Sequence, residues 1–285
     1  MIYIYPYKQL TANILSSYRE EPLPSDYFWK GRQSLFFENG KTAIHHVMSL
    51  LKLGREDEVC IFTSTGENYV STCVTGTIFN YCKISRLVTK KTKMLYIIHE
   101  FGLPHPETTK IIALGRRRKI PVVEDCAHTM GSTLNGIMAG NSGDFTVFSM
   151  TKHLPVTTGG ILTSKTRLNT KSDFYDEEMA NKVKKEFYQF FGYYPVFSEA
   201  RLAIDIKLKT LFKKHNVEYI KSIGNTIPWF TIFKTRKYKE AYRDLSSGLV
   251  ELGRIYIKNW VAIPTQPLAS KGDFDALIKR LPEYF

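Results

Sequence analysis

The sequence predicts an α/β fold in which helices cover a mostly parallel sheet, and two observations lead to that expectation. Five short apolar runs, often β-branched, have the character of strands that are buried on both faces. They are Val59–Phe62, Met94–Ile98, Pro121–Val123, Phe145–Phe148 and Gly160–Thr163. Helical or loop segments separate these runs, and this alternation is typical of parallel sheets, whose ligand sites lie at the carboxyl ends of the strands.

The first predicted helix covers Thr42–Leu53. Apolar side chains recur in it at helical spacing, and they are Ile44, Val47, Met48 and Leu51. Gly54 follows at the position where a left-handed cap is expected to end the helix.

Helical patterns dominate the chain beyond about Lys165. One apolar stripe comprises Met179, Val183, Phe187 and Phe190, and a second comprises Leu202, Ile206, Leu208, Leu211 and Phe212. Further helices are expected at Tyr238–Leu252 and Phe274–Leu281, with a candidate strand at Ile255–Ile263. We therefore predict a large domain over residues 1–190 and a smaller, abbreviated α+β domain over residues 191–285.

The composition predicts a soluble, cytoplasmic protein without a membrane span. Hydrophobic residues make up 43% of the chain and charged residues 24%, which suits a large globular domain. No run approaches the roughly 18 to 20 apolar residues of a membrane span, and the amino terminus lacks the pattern of a secretion signal. The four cysteines (Cys60, Cys73, Cys82 and Cys126) show no CxxC spacing, which favours buried free thiols over disulfides or a metal site.

The formal net charge of +13 is compatible with an anionic partner such as a nucleotide, a phosphorylated sugar or a nucleic acid. The densest basic run is Arg116–Lys119, which follows an apolar helical stretch and directly precedes the strand at Pro121. Basic side chains stabilise the last turn of a helix. We therefore interpret this run as a solvated helix end and expect no nucleic-acid partner.

Two candidate catalytic residues follow the strand that begins at Pro121. Asp125 could hold a pyridinium nitrogen protonated, or it could simply cap a turn. His128, three residues later, could hydrogen-bond a ligand oxygen or serve as a structural histidine.

Lys152 follows another apolar strand and precedes Gly159 and Gly160, where the backbone can approach another group closely. A lysine in an apolar setting is costly unless it is paired or neutral, and imine formation with an aldehyde cofactor uses such an amine. Ser149, three residues earlier, offers a hydroxyl to a phosphate oxygen, although serines at strand ends commonly satisfy the backbone.

The start of the first helix is a candidate phosphate site. Gly40-Lys41-Thr42-Ala43 offers unpaired backbone amides, a hydroxyl and the positive end of the helix dipole. The alternative interpretation is ordinary helix capping by Asn39 or Thr42.

Together these segments resemble the DegT/DnrJ/EryC1/StrS family of sugar aminotransferases that depend on pyridoxal 5'-phosphate, over about Glu38 to Ile204. The family motifs SGTAAL, GDEV and HLYG correspond to Gly40–His45, Glu56–Val59 and His99–Gly102. The strongest match is PVIEDAAQ followed by GxxxGxxGDxxxFSF. It falls on Pro121–His128 and then on Gly136, Gly140, Gly143, Asp144 and Phe148-Ser149-Met150. The resemblance implies the type I aspartate-aminotransferase fold.

The resemblance also implies pyridoxal 5'-phosphate as the cofactor and a site of eight residues. They are Lys41, Thr42, Ala43, Tyr69, Asp125, His128, Ser149 and Lys152. Three of them would be catalytic: Lys152 would bind the cofactor aldehyde as an imine, Asp125 would pair with the pyridine nitrogen, and His128 would lie near the ring hydroxyl. Ser149 would contact the phosphate and Tyr69 would stack on the ring.

The chain departs from the family pattern in two places that bear on turnover. Two fewer residues separate Ser149 from Lys152 than in the family segment FSFHxxK. In the family segment GYNYRM, the asparagine reaches the phosphate of the neighbouring subunit. Here Tyr194 stands at the position of that asparagine and Val196 at the position of the arginine.

The activity implied by the resemblance is transfer of an amino group from glutamate to a nucleotide-linked keto sugar. The resemblance also implies a homodimer, and polysaccharide biosynthesis is one pathway in which such an enzyme would act. Two alternatives stay open. A sugar dehydratase with the same cofactor is one, because His153 adjoins Lys152 and the loop is short. A non-catalytic relative that acts as a binding subunit is the other, because Tyr194 and Val196 replace family residues.

Overall fold

The computed structural model describes residues 19–65, 71–246, 259–265, 267 and 271–285. Contacts divide the chain into two compact units. The first consists of residues 22–192 and 223–226, and the second contains most residues from 193 onward. The predicted domains at 1–190 and 191–285 stay a prediction, because a division by contacts does not test whether either part folds alone.

A seven-stranded sheet forms the centre of the first unit. The strands of this unit are β1 (Gln33–Phe37), β2 (Glu58–Thr63), β3 (Lys83–Ser85), β4 (Thr92–Ile98), β5 (Val122–Asp125), β6 (Thr133–Leu134), β7 (Ile137–Met138), β8 (Phe145–Ser149) and β9 (Gly160–Ser164). The large sheet has the order β1-β9-β8-β5-β4-β2-β3, and β6 pairs with β7 separately. In this sheet the pairs β3–β2, β2–β4, β4–β5 and β5–β8 are parallel. Strand β9 pairs antiparallel with both β8 and β1. The predicted α/β fold with a mostly parallel sheet is confirmed.

Among its described residues, the first unit contains four α-helices. They are α1 (Gly40–Leu51), α2 (Thr72–Phe79), α3 (Thr108–Arg118) and α4 (Glu177–Phe191). Helix α1 packs against β9, β8 and β1, and its apolar residues Ile44 and Val47 belong to the same buried cluster as Val59 and Val123 of the sheet. This burial on the sheet holds the amino end of α1 beside the strand ends that carry the polar residues.

The ends of the first predicted helix differ from the sequence expectation. The helix begins at Gly40 and ends at Leu51, and Lys52 takes the left-handed conformation with a φ of 49°. Gly54 is therefore not the cap, and that prediction is wrong. Gly54 instead donates its amide proton to Asp57 Oδ2 at 2.8 Å in the following turn.

The surface patterns of α3 and α4 agree with the sequence in outline. Arg116, Arg117 and Arg118 form the exposed last turn of α3. On α4 the buried face consists of Ala180, Val183, Phe187 and Phe191. Met179 and Phe190, which the stripe included, are half-buried at its margins.

The second unit is mainly helical around a two-stranded antiparallel sheet. Its elements are α5 (Tyr194–Lys214), β10 (Phe230–Lys234), α6 (Tyr238–Ser246), β11 (Trp260–Pro264), α7 (Lys271–Arg280) and a 3₁₀ turn at Leu281–Tyr284. The parts of the predicted helix 238–252 and strand 255–263 that fall at residues 247–258 lie outside the described residues. Within the described ranges, no helix is both long and apolar enough to cross a membrane.

The predicted apolar stripe on α5 is wrong at Ile206, which is 62% exposed. The helix buries Arg201 and Asp205 instead. Asp205 accepts a hydrogen bond from the Thr231 hydroxyl at 2.7 Å and pairs with Lys209 at 2.7 Å. The buried face of this helix therefore combines these polar residues with Leu208 and Phe212 of the predicted stripe.

Candidate active site

A cavity of about 340 Å³ lies at the carboxyl edge of the sheet in the first unit. Five of the eight predicted site residues line it, namely Lys41, Asp125, His128, Ser149 and Lys152. Thr42 and Ala43 belong to the same helical turn as Lys41 but are not among the lining residues that the structure describes. Tyr69 lies outside the described residues.

Sheet topology brings the acid and the serine together. Strand β5 ends at Asp125 and its parallel neighbour β8 ends at Ser149. Parallel strands end at the same edge of a sheet, so both side chains reach one cavity. Asp125 is aligned with Val147 on β8, two residues before Ser149.

Two donors fix the carboxylate of Asp125, which is only 3% exposed. The backbone amide of Ala127 donates to Oδ1 at 2.9 Å, and the Tyr96 hydroxyl donates to Oδ2 at 2.8 Å. Burial and the adjacent Asp125 carboxylate hold the pKa of Tyr96 well above its usual value, so its hydroxyl keeps its proton. Each carboxylate oxygen retains lone-pair capacity for a further donor.

A single 3₁₀ turn at Met150–Lys152 delivers the lysine to the cavity. The Met150 amide donates to the Gly159 carbonyl at 2.9 Å, and the Met150 carbonyl accepts from both His153 and Leu154. A 3₁₀ helix turns every three residues, which is tighter than an α-helix. The short connection between Ser149 and Lys152 is therefore compatible with a lysine that faces the cavity.

The environment of Lys152 increases the fraction of neutral amine. Burial lowers its pKa from 10.5 to about 8, even though the negative charge of Asp125 opposes the shift. At pH 7.5 roughly a quarter of such amines are neutral, compared with about 0.1% of ordinary lysines. Only the neutral amine has the lone pair that attacks a carbonyl.

His128 is a neutral imidazole in this setting. Burial is the main cause that lowers its pKa well below the usual value, and the charges of Lys152 and His153 add to it. Its Nδ1 accepts the Phe101 backbone amide at 3.4 Å, which assigns the remaining proton to Nε2. Phe101 has a φ of 58°, a strained conformation for a side chain of that size.

The amino end of α1 is held against β9 by a close backbone approach. A Cβ added to Gly160 would lie 2.3 Å from the carbonyl carbon of Asn39, so only glycine fits. Asn39 caps the helix by accepting from the Thr42 amide at 2.9 Å and from the Thr42 hydroxyl at 3.2 Å. The Thr42 side chain thus serves capping, whereas the amides of Gly40 and Lys41, as the first of the helix, have no intrahelical acceptor.

A buried carboxylate supports the cavity from the opposite face of β5. Glu124 accepts from the Gly140 amide at 3.0 Å and from the Ser142 amide at 2.8 Å. It also pairs with His99 Nε2 at 2.9 Å, and His99 Nδ1 accepts the His105 amide. Although burial alone would raise the pKa of Glu124, His99 and the amides of Gly143 and Gly140 lower it overall.

Sequence reasoning missed Cys73, which lines the cavity, and Tyr96, which contacts Asp125. Cys73 was expected to be buried like Cys60, Cys82 and Cys126, but it is exposed at the start of α2 and lines the cavity. Tyr96 was read only as part of an apolar strand. The strand register contained the missing signal: Ile98 pairs with Asp125, and Tyr96 shares a face with Ile98 because side chains alternate along a strand.

The dehydratase alternative depends on His153, which is 5% exposed. The structure directs its Nε2 to the carbonyl oxygen of Ala127 at 3.1 Å, and it is not among the described residues that line the cavity. A carbonyl oxygen only accepts hydrogen bonds, so Nε2 of His153 carries the proton in this contact.

Residues 26–194, more than half of the chain, match the model of the DegT/DnrJ/EryC1/StrS aminotransferase family. The chain belongs to this family. The resemblance inferred from the sequence motifs is thereby confirmed, and the matched range includes every predicted site residue.

Named relatives are similar over part of their length. A GDP-perosamine synthase of Escherichia coli O157:H7 is 30% identical over 135 residues, which is 42% of this chain and 36% of the relative. A second GDP-perosamine synthase, from Caulobacter vibrioides, is 27% identical over 168 residues, or 54% of this chain. The chain spans only 36% and 42% of the lengths of these two relatives.

Solved structures share the fold over nearly the whole chain. The aminotransferase TlmJ from Streptoalloteichus hindustanus has a TM-score of 0.78 at 15% identity, covering 99% of this chain and 98% of the other. An E. coli GDP-4-keto-6-deoxy-D-mannose-3-dehydratase has a TM-score of 0.71 at 15% identity, covering 98% and 99%. The predicted aminotransferase fold is confirmed, and it accommodates two different reactions in these neighbours.

Proposed function

We propose that this chain is an aminotransferase that uses pyridoxal 5'-phosphate to move an amino group from glutamate to a nucleotide-linked keto sugar. The observation that carries the proposal is the convergence of the Lys152 amine and the Asp125 carboxylate on one cavity. The proposal includes a homodimeric, cytoplasmic enzyme. The net charge of +13 supports an anionic sugar nucleotide as substrate.

The residues of the cavity fit each functional group of the proposed cofactor. Lys152, whose pKa falls to about 8, suits an aldehyde, and the doubly hydrogen-bonded Asp125 suits a protonated ring nitrogen. The amides of Gly40 and Lys41 at a helix start, together with the Ser149 hydroxyl, suit a phosphate. The volume of about 340 Å³ is typical of a small-molecule site.

When bound, pyridoxal 5'-phosphate supplies a carbonyl that takes up an amino group and a protonated ring that withdraws electrons. In this chain, Lys152 Nζ would take the proton from the carbon that bears the donor's nitrogen. It would then deliver that proton to the C4′ carbon of the cofactor. Asp125 would hold the ring nitrogen protonated. The Nε2–H of His128 would donate to the ring hydroxyl oxygen.

A dehydratase needs a different base at the lysine position, and the contacts of His153 do not supply one. His153 donates to the Ala127 carbonyl, whereas Lys152 lines the cavity. The contacts of the described residues therefore favour amino transfer over dehydration.

Isotope transfer tests the proposal and separates it from its alternatives. The protein would be loaded with pyridoxal 5'-phosphate and incubated with ¹⁵N-glutamate and a GDP- or UDP-linked 4-keto sugar, and the sugar product would be analysed by mass spectrometry. We expect an amino sugar that contains ¹⁵N. A deoxygenated sugar without ¹⁵N would indicate a dehydratase, and an unchanged sugar would indicate a non-catalytic relative.

Two variants control this assay. Lys152→Ala should abolish transfer because it removes the amine. Lys110→Ala should leave transfer unchanged, because Lys110 lies on the surface of α3 in an ion pair with Glu107.

A further inference from the structure

A buried tyrosine contacts the carboxylate that the proposed function assigns to the cofactor ring. Tyr96 lies in the middle of β4 and is fully buried. It precedes Ile98, the residue aligned with Asp125, by two positions, so its side chain extends from the same face of the sheet. Its hydroxyl reaches Asp125 Oδ2 at 2.8 Å.

Packing alone does not account for this hydroxyl. The cluster around Tyr96 includes Met94, Ile98, Val123 and Val147, all of them apolar. A phenylalanine would fill nearly the same volume without the cost of burying a polar group. The carboxylate of Asp125 is the partner that offsets this cost, since a hydrogen bond to an ion is about twice as strong as one between neutral groups.

The hydroxyl acts as a donor at every working pH. Burial, reinforced by the Asp125 carboxylate, keeps the pKa of Tyr96 well above its usual value. The Ala127 amide holds the other oxygen, Oδ1, at 2.9 Å. The two donors together fix the plane of the carboxylate of Asp125, which lines the cavity.

We propose that Tyr96 is a positioning residue that keeps the proton shared by Asp125 and the cofactor's ring nitrogen on the nitrogen. This inference rests on the proposed function. The pair holds one proton in two arrangements, either carboxylate with pyridinium or carboxylic acid with neutral pyridine. A donor to the carboxylate stabilises the charged arrangement, because it binds the anion more strongly than the neutral acid. Loss of the Tyr96 hydroxyl moves the proton from nitrogen to Asp125 oxygen.

The test is a ¹⁵N NMR measurement on protein loaded with pyridoxal 5'-phosphate labelled at the ring nitrogen. Wild type should give the chemical shift of a protonated nitrogen. Tyr96→Phe should move the shift toward that of Asp125→Asn, which serves as the unprotonated reference. The dissociation constant for the cofactor should also rise in Tyr96→Phe, because the ion pair between the Asp125 carboxylate and the protonated ring nitrogen is weakened.

Tyr81→Phe is the matched control. Its hydroxyl also lies in a hydrogen bond, to His45 Nδ1 at 3.0 Å, and Tyr81 is not among the described lining residues. We expect the nitrogen signal and the cofactor affinity of Tyr81→Phe to equal those of wild type.

Three outcomes would overturn the inference, and they are distinguishable. A Tyr96→Phe protein that unfolds more easily but retains the wild-type nitrogen signal would make the contact purely structural. An equal change in Tyr81→Phe would show that the effect is unspecific. Failure of wild type to bind the cofactor through Lys152 would reject the proposed function, and this inference with it.

Discussion

Replacing Lys152 by methionine should stabilise the cofactor-free protein at pH 7. Burial lowers the pKa of the Lys152 amine from 10.5 to about 8. The difference corresponds to about 3 kcal/mol that the charged amine costs the folded state below pH 8. Methionine is similar in length and uncharged, so it removes this cost without leaving a large cavity.

The gain should depend on pH with a defined sign. The unfolded chain protonates this amine with the ordinary pKa of 10.5, whereas the folded chain does so at about 8. Unfolding therefore takes up a proton between these values, and the stability of the wild type rises as the pH increases from 8 to 10.5. The advantage of Lys152→Met is largest below pH 8 and disappears near pH 10.5.

Urea unfolding of the two proteins at pH 7, 9 and 10.5, without cofactor, measures this difference. Lys110→Met is the control, because the Lys110 side chain is 79% exposed and water screens its ion pair with Glu107, so its replacement should change the pH dependence far less than that of Lys152. A Lys152→Met protein no more stable than wild type at pH 7 would refute the reasoning. So would a gain that persists undiminished to pH 10.5.

Two further predictions concern the edges of the cavity. Gly160→Ala places a Cβ 2.3 Å from the Asn39 carbonyl carbon, which should displace the start of α1. We expect the free energy of unfolding to fall by roughly 1–3 kcal/mol and cofactor binding to weaken. Thermal unfolding and cofactor titration measure these two effects. Equal stability and affinity would contradict the close approach. Cys73 should be alkylated by iodoacetamide faster than the three buried cysteines, and bound pyridoxal 5'-phosphate should protect it, as peptide mapping would determine. Equal alkylation rates at all four cysteines would contradict the place of Cys73 in the cavity. So would a Cys73 rate that is the same with and without bound cofactor.

The sequence predicted the sheet and the meeting of Asp125, Ser149 and Lys152, because buried strands read as short apolar runs and parallel strands end at one edge. It did not predict the cap at Lys52, since the unfavourable left-handed conformation of a lysine is offset only by the fold around it. It likewise missed the exposed Ile206, because one partner of the buried Asp205, the Thr231 hydroxyl, comes from strand β10 and is distant in the sequence.

The role of Tyr96 could not follow from local pattern. A tyrosine inside an apolar strand reads as core, and its contact with Asp125 exists only once β4 and β5 are aligned. Capping at the start of α1 could be predicted locally, since Asn39 directly precedes the helix and accepts from the Thr42 hydroxyl, whereas a contact of Thr42 with the cofactor stays a prediction.

Reductive trapping tests the central claim most directly. The protein would be loaded with pyridoxal 5'-phosphate at pH 8, reduced with borohydride, digested and analysed by mass spectrometry, with Lys152→Ala treated in parallel. The account predicts one dominant pyridoxyl group, on Lys152, and none in the variant. A pyridoxyl group spread over surface lysines, or absent from Lys152, would contradict it.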